Sequence, residues 1–428
     1  MSQATWLLGA GRELPALLLL GGGAAFLGCS DAALPAVGGA VLQEQFSSAG
    51  QSCGRGLAVV MTDYQSTNVA LIDLEARTRS GSVIHSGVRA AGLQAALGGD
   101  VSMPAQRMPG DLVLIDRTPG SLLTFVDPET AAVQGQLAVG TGFEANPQDV
   151  LDLGDGRTLV SRLHRNSSPG SQPYDEGDDI LVFSEARTAI SQRIDLSPIL
   201  APDERARPSQ MLALDEQVVV ALSGLDDRFQ GAAVGRLAVL DRDTLQLQGS
   251  FEMEGMINCG ALDGNSDETQ LVVSCSGKLD TTANAAAPAG SGLLLIELAP
   301  DLEDWKVGAR LLASEQEQGP FGFSVSFASD RWVVGATFGA AEGPDAGRPD
   351  RILAWDLQSG ETLTLLRSEK PFLLGDVRCI LPCSLCFAAD AEREGVHRWT
   401  LQEDDWQEPS FHPIDSPIDL PPRQLGWL

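Results

Sequence analysis

An all-β fold, assembled from seven copies of a four-stranded unit, is what the sequence predicts, and three observations predict it. The first is composition. The 428 residues include 46 Gly and 24 Pro, with 43% hydrophobic but only 5% aromatic residues, a balance that suits short strands and turns better than long helices. The second is a repeat. Short apolar runs close on Asp73, Asp127, Ser184, Asp241, Glu297, Asp356 and Thr400, which stand 54, 57, 57, 56, 59 and 44 residues apart; regular spacing on this scale marks a repeat architecture. The third is a recurring phrase, a Pro followed two residues later by Asp or Gln. It occurs in "NPQDVLDL" (146–153), "RPSQMLAL" (207–214) and the C-terminal "PPRQLGWL" (421–428).

Each unit has the same internal order. A Pro-led phrase, or in looser form "GPFGFSVSF" at 319–327, supplies an inner strand. A continuous apolar run follows, such as "LAVVM" at 57, "VVVAL" at 218 or "WVVGA" at 332, as expected of a strand buried on both faces. The marked run comes third. An alternating run such as "SQRIDL" or "GARLLA" comes last and reads as half-exposed. The closing Asp, Glu, Ser or Thr of the third run reads as turn chemistry, because such side chains bond the local backbone. Seven units of four strands predict a seven-bladed β-propeller over residues 55–428. The first unit begins abruptly at "GLAVVM" and lacks an inner strand; residues 421–428 are expected to supply it and close the ring. The stretch "LAVVMTDYQSTNVALIDLEARTRSGSVI" (57–84) resembles the repeat of the YVTN, or surface-layer, type of propeller. The resemblance implies architecture more than activity, since one fold hosts many functions.

Cysteine positions test the ring. Beyond Cys29 the chain has Cys53, Cys259, Cys275, Cys379, Cys383 and Cys386, an even number that in an exported chain implies disulfides. Placed on blades, Cys259 with Cys275 and Cys379 with Cys386 fit cross-strand pairs. Cys53 precedes the first blade and Cys383 lies in a turn of the last, so their pairing is expected to lock the ring. The alternative for "CILPCSLC", a metal or redox site, lacks a His partner at ligand spacing.

The N-terminus reads as an address. Leu14 to Leu27 is a mostly apolar run of signal-peptide length, too short to span a bilayer comfortably. The "FLGC" that ends at Cys29 resembles the lipobox of bacterial lipoproteins, which implies cleavage after residue 28 and lipidation of Cys29; Ser30 after it is compatible with the outer membrane. The expected organisation is a signal peptide (1–28), a lipid-anchored linker (29–54) and the propeller (55–428).

Net charge is −29, from 29 basic and 58 acidic residues. No basic footprint for nucleic acid exists. "GQSCG" (50–54) mimics a nucleophile elbow but lies between a polar segment and a strand, where that motif needs a strand before it and a helix after. "GTGFEA" (140–145) is not followed by the helix a dinucleotide site needs. "DGNSDE" (263–268) has the first oxygen positions of a calcium loop, Asp263 to Asp267, without its Gly or its final Glu. No catalytic residue, metal ligand or cofactor is assigned.

The connection between the second and third strands is longer in blades 3 to 6 than in blades 1, 2 and 7. These four enlarged loops (162–179, 223–235, 276–292 and 337–350) share one face, and long loops on a rigid scaffold carry binding. Arg162, His164, Arg165, Asp178, Asp226 and Asp227 are the candidate binding residues. The expected function is an exported, monomeric envelope module that binds a protein, peptide or polar ligand. The alternatives are an enzyme on the same fold, since some resembling propellers act as lactonases or carry quinone or haem, and a structural envelope protein.

Overall fold

Seven antiparallel sheets, six of four strands and that of blade 7 of five, follow one another along the chain and form a β-propeller. The computed structural model describes residues 35–184, 189–229, 233–277, 289–315, 319–340 and 346–428. Blade 3 shows the pattern: inner strand Pro147–Asp152, second strand Thr158–Arg165, third strand Gly177–Phe183 and outer strand Ile190–Asp195, each paired with the next. The second and third strands of blade 1, Leu57–Thr62 and Thr67–Ile72, are buried throughout, because both faces of every blade are covered by neighbours. Outer strands such as Val133–Ala138 are largely half-exposed. Blade 2 departs most from the pattern, with an inner strand of two residues, Val101–Ser102. Asp73, Asp127, Asp241 and Asp356 do the turn work expected of them: each carboxylate accepts backbone N–H groups two to four residues on.

The ring closes as the repeat predicts. Pro422–Trp427 pairs antiparallel with Leu57–Thr62, so blade 1 is made of the last strand and the first three. Three disulfides are present, Cys53–Cys383, Cys259–Cys275 and Cys379–Cys386, the pairs the blade assignment anticipates. Cys53–Cys383 spans 330 residues of sequence and ties the entry of blade 1 to blade 7.

The Pro-led phrase has a structural meaning of its own. Its Asp or Gln reaches from one inner strand to a backbone N–H of the next blade. Asp149 accepts from Met211 at 2.8 Å, and Gln210 accepts from Leu262 at 3.0 Å. Asp263 accepts from Phe327 at 2.9 Å, Ser324 from Val377 at 2.8 Å and Asp376 from Leu425 at 3.3 Å. Asp149 also turns back to Ala105 of blade 2 at 2.9 Å. Side chains thus stitch six of the seven blade junctions around the axis. Burial raises the Asp149 carboxyl to about 6, against the backbone donors that favour its charged form.

Antiparallel order fixes two faces. Turns after the inner and third strands emerge on one, here the turn face. Connections after the second and outer strands emerge on the other, the loop face. Residues 35–54, read from the sequence as part of a linker, lie against the turn face as a strap. Gly38 N–H bonds Ser82 O at 2.9 Å and Ala40 N–H bonds Pro128 O at 2.8 Å. Leu42 is buried, and Gln45–Phe46 pairs with Ser52–Gly54. Gly39 passes so close to Glu129 that a Cβ would meet its backbone at 2.3 Å. The strap has no periodicity because it is held chiefly by backbone contacts, so alternation of apolar residues could not reveal it.

Candidate functional site

The loop face rests on pinned loop bases. In blade 3 the register sets Arg162 opposite Asp179. Both side chains are fully buried, and the guanidinium grips the carboxylate through two bonds of 2.7 Å. It also donates to Val139 O, Thr141 Oγ1 and Tyr174 O and lies over the Phe143 ring. Arg162 is therefore a clamp under the loop and offers nothing to a ligand, contrary to its reading as a binding residue. A charged side chain at a strand end looks exposed in sequence; here the loop folds back over it. The loop above is organised by Asp175, which accepts from the backbones of Gly170, Gln172 and Ser171. The Gly170 bond leads in holding its carboxyl down at about 2.

The other candidates sort by burial. Asp178 is half-buried at φ 55° and accepts the N–H groups of Ala206 and Arg207, so it serves blade contact; burial raises its carboxyl. Arg165 is exposed. Asp226 and Asp227 are exposed as well, and Asp227 takes a fork of two bonds, 3.0 and 3.1 Å, from Arg205. His164 is half-buried. Its Nδ1 lies 3.1 Å from Glu144 O and its Nε2 lies 3.1 Å from Asn146 Nδ2. A carbonyl can only accept, so Nδ1 carries the proton and Nε2 accepts from the amide. Burial, then the charge of Arg207, lowers the imidazole to about 4.

Sequence reading missed Arg207 and Phe229. Arg207 is the first residue of the Pro-led phrase of blade 4, adopts φ 50° and is buried. Its guanidinium donates to Leu163 O, Leu225 O and Asp226 O and stacks on Phe229 at 4.5 Å, while Phe229 meets His164 edge-on at 5.9 Å. Arg207 thereby joins the loops of blades 3 and 4. Its place before a Pro, at the head of an inner strand, is the one signal the sequence offers.

His164 gives a pH test. It is neutral in the fold at pH 7 and takes a proton in the unfolded chain near 6.5. Stability contributed by its neutral form is therefore complete above 6.5 and is lost as pH falls towards 4, on the order of 3 kcal/mol in total. The imidazole resonances of His164 are expected to titrate near pH 4 by NMR. His164→Gln should flatten the fall in stability between pH 6.5 and 4; titration near 6.5 would refute the assignment.

At the turn face a cavity of about 210 Å³ lies beside Arg107, Asp263, Ser326, Arg378 and Trp427. Its cations are engaged. Arg378 bonds Asp376 and Ala105 O, and Arg107 bonds Glu44 and Ser52. Asp263 accepts from Gly264, Ser326 and Phe327, while Asn265 and Asp267 cap the following turn. The oxygens of the calcium-like phrase are thus spent on separate internal bonds. His397 is buried inside blade 7 and bonds Asp390 at 2.8 Å. Cys29 lies outside the described residues, as do parts of the loops 223–235, 276–292 and 337–350.

No protein-family model matches the chain, and no curated protein matches it in sequence. Solved structures do match in shape. A candidate 6-phosphogluconolactonase from Bacteroides fragilis NCTC 9343 superposes with a TM-score of 0.55 at 9% identity, covering 87% of this chain and 98% of that one. A protein from Lactobacillus plantarum gives 0.52 at 10% identity over 87% and 98%. A candidate 6-phosphogluconolactonase from Bacteroides uniformis ATCC 8492 gives 0.51 at 10% over 87% and 99%. At this identity the likeness is one of fold.

Proposed function

We propose that this β-propeller is an exported module of the YVTN type, held at the cell envelope by a lipid on Cys29, and that as a monomer it binds a polar or peptide-like partner on its loop face. The observation that carries the reading is the construction of that face. Buried Arg162, buried Arg207 and the capped loop around Asp175 fix the loop bases, while Arg165, Asp226 and Asp227 stay exposed above them. Exposed groups on immobile supports bind with little ordering cost. Three disulfides support an oxidising compartment, and the apolar run before Cys29 supports export.

Photo-crosslinkers placed at Ser167, Arg228 and, as a control, the exposed Leu363 of blade 6 test the binding face in intact envelopes. The expected result is a discrete crosslinked product from 167 and 228 and none from 363; equal yields at all three sink the reading. A second reading, a lactone-hydrolysing enzyme, draws on the turn-face cavity and on the two candidate lactonases among the structural neighbours. It predicts turnover of 6-phosphogluconolactone that is lost in Arg378→Ala.

A further inference from the structure

We infer that the strap of residues 35–54 rests on the lipid surface and turns the loop face away from it. The inference builds on lipidation of Cys29, and its first support is reach. Eight residues separate Cys29 from Gly38, whose N–H is fixed to Ser82 of blade 1. Even fully extended they span about 30 Å, so the edge of blades 1 and 2 stays within that distance of the anchor.

The second support is apolar exposure. Among the described residues, the exposed large hydrophobic side chains are Val37 (40%), Val41 (74%), Phe46 (64%), Tyr64 (38%) and Leu363 (44%). Three of the five lie on these 20 residues, the part of the described chain nearest the anchor. Isolated apolar side chains on a surface need no explanation, but a cluster does. The strap itself is firmly seated, with Leu42 buried and Cys53 bonded to Cys383. Val37, Val41 and Phe46 are therefore presented outward by a fixed backbone.

Charge is the third support. The strap holds one ionisable side chain, Glu44 (its disulfide-bonded Cys53 does not titrate), and that carboxylate is paired with Arg107 at 2.9 Å. Residues 35–140 contain 6 basic and 9 acidic residues, a net −3 of the whole chain's −29. Anionic headgroups repel an acidic body over roughly a Debye length of 8–10 Å. The anchor thus adjoins a part of the chain with little net charge to repel it from the lipid. Topology supplies the orientation: the strap crosses the turn at Pro128–Glu129 and is bonded to the turn at Cys383, both on the turn face. The four enlarged loops leave from the opposite face.

The test uses the full-length acylated chain in vesicles of phosphatidylethanolamine and phosphatidylglycerol, with an NBD probe on Phe46→Cys or on Arg228→Cys. Both positions are exposed, so the fold is retained. The expected result is a blue shift of the probe at 46 and loss of its emission on adding doxyl-labelled lipid, with no change at 228. Palmitate labelling is read in the same samples. Label incorporated with an unquenched probe at 46 leaves the anchor standing and overturns the strap's role. Neither label nor quenching overturns both. A probe at 46 shielded from aqueous iodide yet untouched by doxyl lipid means that protein covers the strap, and also overturns it. Equal quenching at 46 and 228 overturns the orientation.

Discussion

Truncation after Pro421 is expected to lower the melting temperature by at least about 10 °C or to abolish cooperative unfolding. Residues 422–427 form the whole inner strand of blade 1. Removing them strips five ladder partners from Leu57–Met61, side chains that are otherwise buried throughout. Leu425 alone is completely buried, and losing a buried Leu side chain costs about 2–5 kcal/mol. The loss also takes away the Leu425 N–H that Asp376 accepts from blade 7. About 5 kcal/mol or more, at roughly 2 °C or more per kcal/mol for a large domain, gives the stated shift. Calorimetry of the truncated chain measures it directly, and an unchanged transition would mean that the last strand merely decorates blade 1.

Arg162→Ala is the second large effect. It removes both bonds to Asp179 and the donors to Val139, Thr141 and Tyr174. Breaking one partner of a buried pair costs about 3–5 kcal/mol, chiefly because the remaining charge has nowhere to go. Arg193 still reaches Asp179 from the blade edge, which places the expectation at the lower end. Urea unfolding should show the loss, and limited proteolysis should cut first between 166 and 176. The double change Arg162→Met with Asp179→Leu removes both charges and should recover most of the stability while leaving the loop protease-sensitive. If the double variant is no more stable than Arg162→Ala, hydrogen bonds to the loop rather than the stranded carboxylate dominate.

These two effects differ in how far the sequence revealed them. The closing strand was legible because it repeats a phrase already used at 146 and 207, and a repeated phrase in a ring has one place to go. The disulfide pairs followed from the same geometry, since blade assignment sets Cys259 beside Cys275 and Cys53 near Cys383. Arg162 was legible only as a charge at a loop edge. Its burial depends on Asp179 standing opposite it and on a loop that folds back, both tertiary facts. The stitching by Asp149, Gln210 and Asp263 was visible as a spelling but not as a bond, because its partner lies in the next blade. Arg207 and Phe229 meet across two blades, beyond any local pattern. The strap escaped notice for the opposite reason: its order comes from backbone bonds and a disulfide, which leave no mark on hydropathy.

The shared first blade has a consequence in time. Leu57–Thr62 cannot find its inner partner until residues 422–427 have been synthesised, the strand pairing most distant in sequence among the described residues. Non-local contacts of this kind form late and slowly. Blades 2 to 7 can take shape as they emerge, yet the ring stays open until residues 422–427 have followed. Until then the edge of Leu57–Met61 stands without its inner partner, open to pairing with a strand of another chain. The strand that seals the structure also ends the interval in which that edge can be captured by a neighbour.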